Sequence, residues 1–345
     1  MYFRKDLIFL FVCFSIVLFS CKQNKKSLRE IKGSDEHSFK LVWKPFYLDL
    51  LKLKDAEDST PLLMMRKNYV SFYEQFNTAV INIGPSTSPL YTNRINDYLN
   101  DKDIAYLYRS VDSVYNNSRI NTLKEELNLA FGIFTTAFPK KQIPAIAPMI
   151  TGFNYAVIVG DSILGISLDM FLGKNFNYYS LLQFPEYKKN LMTKENLVPR
   201  TLFSWLKTEF EPKNPPSDLL GEMIEAGKVI YLLNHLVPEL EDSLAFGYTA
   251  AQMDWCKTNE FQIWATFVDK KLLFSSTNSE NQKYVNEAPF SPGFSKESPG
   301  KIGYFIGYRI VESYMENNLN VTLNQLMENH DSHLILNRSK YKPKK

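Results

Sequence analysis

Four carboxylates lie in stretches of the chain that are otherwise largely apolar, and they are the side chains best placed to carry chemistry. Asp169 ends one apolar run, Glu222 and Glu225 lie within a second, and Glu260 lies within a third. A carboxylate that is removed from water must be paired or hydrogen-bonded, or its pKa shifts. Carboxylates in such surroundings act as general acids and bases in many enzymes.

The same carboxylates also have a structural interpretation, which we favour. Lys228, or an arginine such as Arg309, would neutralise one of them in an ion pair that belongs to the fold. On this interpretation none of the four is catalytic.

Other catalytic signatures are missing from the sequence. The four histidines, at positions 37, 235, 330 and 333, do not form His-Glu-x-x-His or another metal-binding spacing. His330 and His333 could share a helix face, but a solvent-facing pair is the simpler interpretation. Cys256 has no histidine partner in its own helix, and neither a nucleophile elbow nor a phosphate loop is present. We therefore predict no metal and no cofactor.

The N-terminus predicts export and lipidation. Arg4 and Lys5 precede the apolar run 7–19, which is shorter than the ~20 residues of a spanning helix. The run ends at Ser20 and Cys21, the arrangement of a lipobox. We expect residues 1–20 to be a signal peptide and Cys21 to carry the lipid that anchors the mature chain to a membrane.

Charge and composition restrict the partners. Without Arg4, Lys5 and Asp6 the chain has 38 basic and 36 acidic residues, so a nucleic-acid partner is not expected. The polar stretch 21–38 predicts a flexible tether, and 39–345 a single globular domain. The tether lacks an acidic sorting signal, which favours a periplasm-facing position.

Periodicity predicts a largely helical domain with one small sheet. Apolar residues recur at helical spacing in the segments 68–76, 104–134, 218–234, 248–270 and 303–317. Two short apolar runs, 156–159 and 163–168, flank Gly160-Asp161-Ser162 and predict an antiparallel hairpin. The predicted fold class is therefore α+β, predominantly helical, with a small antiparallel sheet.

Several short segments resemble the GldB family of gliding-motility lipoproteins of the Bacteroidota. In chain order they are GFNY at 152–155, LDMFLG at 168–173, GKVIYL at 227–232, WCKTNE at 255–260, IW at 263–264, SPG at 298–300 and SKYKP at 339–343. The resemblance implies an accessory role in the gliding motor and the type IX secretion system, with other components of that machinery as partners.

The resemblance also extends to predicted zinc peptidases, in which a His-Glu-x-x-His helix precedes a glutamate ligand. The helix 218–234 occupies the first place without either histidine, and Glu260 stands near the third ligand. The implied fold is a zincin-like core without metal, a pseudo-peptidase. Its candidate cleft or interaction residues are Asp169, Glu222, Glu225, Lys228, Trp255 and Glu260.

A cleft that no longer cuts could hold an extended peptide by adding it to the sheet edge beside the 156–168 hairpin. Two other functions remain open. One is a metal-dependent peptidase or other hydrolase with a non-standard site. The other is a glycan binder, suggested by the many aromatic residues, although core packing explains the tryptophans better.

Overall fold

The computed structural model describes residues 39–344, in which sixteen α-helices surround three short strands. The helices of the first half are α1 (Phe46–Leu51), α2 (Thr60–Gln75), α3 (Tyr91–Asn100), α4 (Lys102–Val114), α5 (Asn117–Ala137), α6 (Asn177–Leu181), α7 (Glu186–Lys189) and α8 (Lys194–Glu209). Those of the second half are α9 (Leu219–Leu236), α10 (Asp242–Phe246), α11 (Ala250–Thr258), α12 (Glu260–Asp269), α13 (Asn278–Val285), α14 (Gly303–Asn317), α15 (Leu323–Glu328) and α16 (Ser332–Ser339). The strands are β1 (Ala145–Met149), β2 (Val157–Val159) and β3 (Ile163–Ser167). The α+β prediction is confirmed.

The sheet is mixed, which corrects the expectation of a purely antiparallel one. The predicted hairpin is present, with β2 antiparallel to β3, but β1 pairs with β3 in parallel and makes it the central strand. β1 was not predicted because its sequence, AIAPM, contains Pro148, a residue that weakens any strand pattern.

The two outer edges of this sheet differ. Along β1 the chain near Trp43 runs parallel, with the N–H of Lys44 donating to Ile146 O and the N–H of Ile146 donating to Val42 O, each at 2.8 Å. The outer edge of β1 is therefore paired, and β2 forms the opposite edge.

The helix pair α9 and α14 forms the centre of the second half of the domain. Asp218 begins α9 as its N-cap, because its carboxylate accepts from the N–H of Gly221 at 2.9 Å. A Cβ at Gly227 would overlap the backbone of Gly307, and a Cβ at Gly307 would overlap the carbonyl of Met223. The two backbones meet at this glycine contact, so neither position accepts a side chain.

Two predicted helices are each broken in the structure. The segment 104–134 divides between α4 and α5, where the Asn116 side chain accepts from the N–H of Arg119 and caps the second helix. The segment 248–270 divides at Asn259, which ends α11 and precedes α12. Each piece has buried apolar residues at helical spacing, so the periodicity alone does not show the breaks.

Residues 39–344 belong to one compact unit. The predicted signal peptide, the lipidation of Cys21 and the tether all lie outside the described residues. Within residues 39–344 no helix has the length and apolarity required to cross a membrane.

Candidate functional site

Glu222 and Glu225 face one groove, the largest near the predicted cleft residues. The groove has a volume of about 1040 Å³ and lies between the Pro-rich connector 211–217, α9 and α13. Glu222 accepts from Nδ2 of Asn281 at 3.2 Å across it. Asp169, Trp255 and Glu260 do not line this groove, so the structure brings together only part of the predicted set.

Lys228 lies behind the groove with its side chain fully excluded from solvent. Its Nζ lies 2.8 Å from Oε1 of Glu225 and 2.9 Å from the carbonyl oxygen of Asn329, and Nδ1 of His330 lies 3.1 Å from the same Glu225 oxygen. Burial lowers the pKa of Lys228 and the Glu225 carboxylate partly offsets that effect. This is the structural ion pair that the sequence suggested.

A second histidine contact lies at the start of α9. Nε2 of His333 is 3.1 Å from Oδ2 of Asp218, the residue that caps this helix. Together with His330, it joins the C-terminal segment to α9. The two histidines are partly exposed, as predicted, but each contacts a carboxylate.

Glu260 is held by two side chains. Nε of Arg309 lies 2.9 Å from its Oε1, and the Tyr341 hydroxyl donates to the same oxygen at 2.8 Å. Arg309 also pairs with Glu312. Both partners are donors, and both hydrogen bonds go to Oε1 of the Glu260 carboxylate.

Asp169 is completely buried below the loop that follows β1. Its carboxylate accepts from the N–H of Phe153 at 2.8 Å and from the N–H of Thr151 at 3.2 Å. Gly152 and Phe153 have φ angles of 65° and 66°, so their N–H groups turn towards the carboxylate. Burial raises the pKa of Asp169 to about 6, although these hydrogen bonds act in the opposite direction. Asp169 therefore positions this loop.

Trp255 and Cys256 belong to the packing of α11. The Trp255 ring lies edge-on to Phe294 with centroids 6.5 Å apart, and Cys256 is fully buried. Burial raises the pKa of the Cys256 thiol far above its ordinary value, which disfavours the reactive thiolate. Across residues 39–344, no group of three or more His, Cys, Asp and Glu side chains has the geometry to hold a metal ion.

A family model described as "Gliding motility protein GldB" matches residues 25–343. The chain belongs to the GldB family. The recognition made from short segments is therefore confirmed, and membership implies a role in gliding motility. No curated protein and no solved structure matches the chain significantly. The zincin-like core of this GldB-family chain stays a prediction.

Sequence reasoning missed a second charged cluster, at the mouth of a neighbouring groove. Arg200 and Lys301 lie 3.2 Å and 3.5 Å from the same oxygen, Oε1 of Glu287. These residues come from α8 and from the loop segments that flank α13 and α14. Separations of 87 and 14 residues leave no signal in a helical or strand period, and only the assembled fold shows the cluster.

Proposed function

We propose that this GldB-family chain is a non-catalytic accessory component of the gliding motor and type IX secretion machinery. It acts from the periplasmic side of a membrane, held there by a lipid on Cys21. Family membership supports the motility role. The apolar run 7–19 followed by Ser20-Cys21 supports the lipid anchor.

The observation that carries the non-catalytic part is the environment of Glu260. In the resemblance to zinc peptidases this residue stands where the third ligand would be. Its Oε1 instead accepts from Arg309 and from Tyr341. A guanidinium at 2.9 Å repels a divalent cation from the same oxygen. Glu260 therefore supports the docking of the C-terminal residues and not a hydrolytic centre.

The remaining carboxylates support the same conclusion. Glu225 is paired with the buried Lys228, and Asp169 binds the backbone of the loop 151–153. Each carboxylate has a partner that explains its burial. What the domain contributes to the machinery is then its surface and its position at the membrane.

Deletion of the gene, with separate assays of cell spreading and of adhesin export, tests the role. We expect spreading to be lost and the wild-type gene to restore it, while a gene encoding Cys21→Ser gives protein that fractionates away from membranes and restores neither activity. A gene encoding Glu260→Gln should restore spreading if the protein accumulates normally. A deletion strain that spreads and exports normally contradicts the proposal.

The alternative, a metal-dependent hydrolase, draws on the 1040 Å³ groove with Glu222 and Glu225 on its wall. Metal analysis of the purified protein and a broad peptide-cleavage screen decide it. Stoichiometric zinc that disappears when Glu222 and Glu225 are replaced by alanine, together with peptide cleavage, would replace the accessory role by an enzymatic one.

A further inference from the structure

The β2 edge has peptide groups that point away from the sheet. The N–H of Gly160 donates to Ile163 O, and the N–H of Ser167 donates to Ala156 O. In an antiparallel ladder hydrogen-bonded pairs alternate with non-bonded pairs, so the register places residues 156, 158 and 160 in the bonded positions. The peptide groups of Val157 and Val159 therefore face outwards, and neither has a hydrogen-bonding partner elsewhere in residues 39–344.

This edge opens into a groove. Val157 and Val159 line a cavity of about 590 Å³, whose other walls are α8, the end of α10 and the start of α14. The cavity shares lining residues with the 1040 Å³ groove, namely Lys207, Thr208, Val285, Asn286 and Tyr304. The two cavities are therefore neighbours along α8, and we call the 590 Å³ cavity beside β2 the β2 groove.

Positive charge exceeds negative charge where the β2 groove begins. Arg200 and Lys301 share the single carboxylate of Glu287, and the Lys301 side chain is only 11% exposed. Lys207, on the same wall, has no carboxylate partner among the described residues. Burial and the neighbouring Arg200 and Lys207 lower the pKa of Lys301 to about 8, against the opposing effect of Glu287. Three cations thus surround one acid in a partly desolvated place, an arrangement that an added anion would stabilise.

We propose that the β2 groove binds an extended peptide segment of a partner protein that carries acidic side chains. The segment adds to β2 as a fourth strand, and its main chain pairs with the peptide groups of Val157 and Val159. Alternate side chains point into the groove, where a glutamate or aspartate meets Arg200, Lys207 and Lys301. The proposal extends the accessory role by naming the chemistry of the partner.

The apolar wall fits the same occupant. Phe203 and Tyr304 are stacked with ring centroids 6.0 Å apart on the side of the groove facing β2. They offer an apolar surface to the methylene groups of the acidic side chains that enter the groove. Pairing of this kind already occurs at the other edge of the sheet, where residues 42–44 form backbone hydrogen bonds with β1.

Binding of a defined probe to the lipidated protein in detergent tests the proposal. The probe is a fluorescent six-residue peptide of alternating valine and glutamate, blocked at both ends, and its partner peptide has glutamine in place of glutamate. We expect the glutamate peptide to bind at least about tenfold more tightly than the glutamine peptide at low salt. Added salt should reduce this difference.

Two pairs of variants separate the backbone and charge contributions. Val159→Pro removes one outward N–H without touching the β2–β3 ladder and should weaken binding about fivefold, whereas Val159→Ala keeps the N–H and should change it less than about twofold. Lys207→Glu should weaken binding about tenfold. Lys194→Glu, at the other end of the same helix, should have no effect, because Lys194 lies outside the groove.

Absence of binding by the wild-type protein overturns the proposal, and so does binding that survives Val159→Pro. Equal binding of the glutamine peptide overturns the assignment of acidic side chains. These results do not depend on the motility assays. If the deletion strain moves normally, the accessory role is contradicted, but the result of the binding measurement is unaffected.

Discussion

The ammonium group of Lys228 lies 2.8 Å from Oε1 of Glu225, one turn earlier on the same helix, with its side chain fully excluded from solvent. The carbonyl oxygens of Met327 and Asn329 complete its surroundings at 3.4 Å and 2.9 Å. Lys228 donates hydrogen bonds to the end of α15 and to the loop that follows it. The ion pair therefore fixes the C-terminal segment on α9.

Removal of the Glu225 carboxylate should destabilise the folded chain, because Lys228 stays buried without its partner. We expect Glu225→Ala to lower the free energy of unfolding by about 2 kcal/mol at pH 7, because Lys228 is left as an uncompensated buried charge. The exposed pair Glu280 and Lys283 has the same spacing and a distance of 2.7 Å, so Glu280→Ala is the matched control. Its effect should be about 0.5 kcal/mol or less. Urea denaturation measures both.

The loss of stability caused by Glu225→Ala should become smaller as pH rises. Burial lowers the pKa of Lys228 in the folded chain, so above that pKa the unfolded chain binds more protons than the folded one. Stability then rises with pH until the lysine of the unfolded chain also loses its proton, near pH 10. A deficit that is constant from pH 7 to pH 10 would show that Lys228 is not the group left unpaired.

The contact of α9 with α14 makes a second prediction about stability. Gly307→Ala should lower the free energy of unfolding by about 3 kcal/mol or more, because the added Cβ overlaps the Met223 carbonyl and the two helices must separate. Gly132→Ala, within α5, meets only Phe39 at 3.9 Å. It should stabilise the chain by up to about 1 kcal/mol through helix propensity. Equal effects of the two substitutions in thermal or urea unfolding contradict this account.

Asp169 should give the chain a characteristic dependence of stability on pH. Its pKa is raised from about 4 in the unfolded chain to about 6, so between these values the folded chain holds a proton that the unfolded chain has lost. Stability therefore falls as pH rises from 4 to 6, by up to about 3 kcal/mol. Asp169→Asn cannot titrate. The difference in the free energy of unfolding between wild type and this variant, measured by urea denaturation, should fall over the same pH range. A difference that does not change with pH would contradict the raised pKa of Asp169.

Much of the fold could be predicted from the sequence, because it depends on local patterns. The apolar face of α9, its cap at Asp218 and the hairpin around Gly160-Asp161-Ser162 all depend on residues close together in the chain. The pairing of β1 with β3 does not, since it joins residues 18 positions apart through a parallel register. The two helix breaks were missed because a capping asparagine looks like any other polar residue within an amphipathic pattern.

The sequence singled out charged residues in apolar stretches but not the geometry around them. The sequence pointed to Glu225, Lys228 and Glu260 because charged groups in apolar stretches are unusual. It could not show that Tyr341, 81 residues later, completes the environment of Glu260, or that Asp169 binds a loop. Those relationships arise from tertiary packing, which no spacing rule encodes.

The thiol content of the mature protein tests the anchor. If the signal peptide containing Cys13 is removed and Cys21 carries a thioether-linked lipid, only Cys256 retains a free thiol. Cys256 is fully buried, and burial raises its pKa, so the native protein should not react with a thiol reagent. After denaturation one thiol per chain should react. Cys256→Ala is the control and should give none in either state. Two reactive thiols in the denatured wild-type protein would show that Cys21 is unmodified, and the anchored position would then need another explanation.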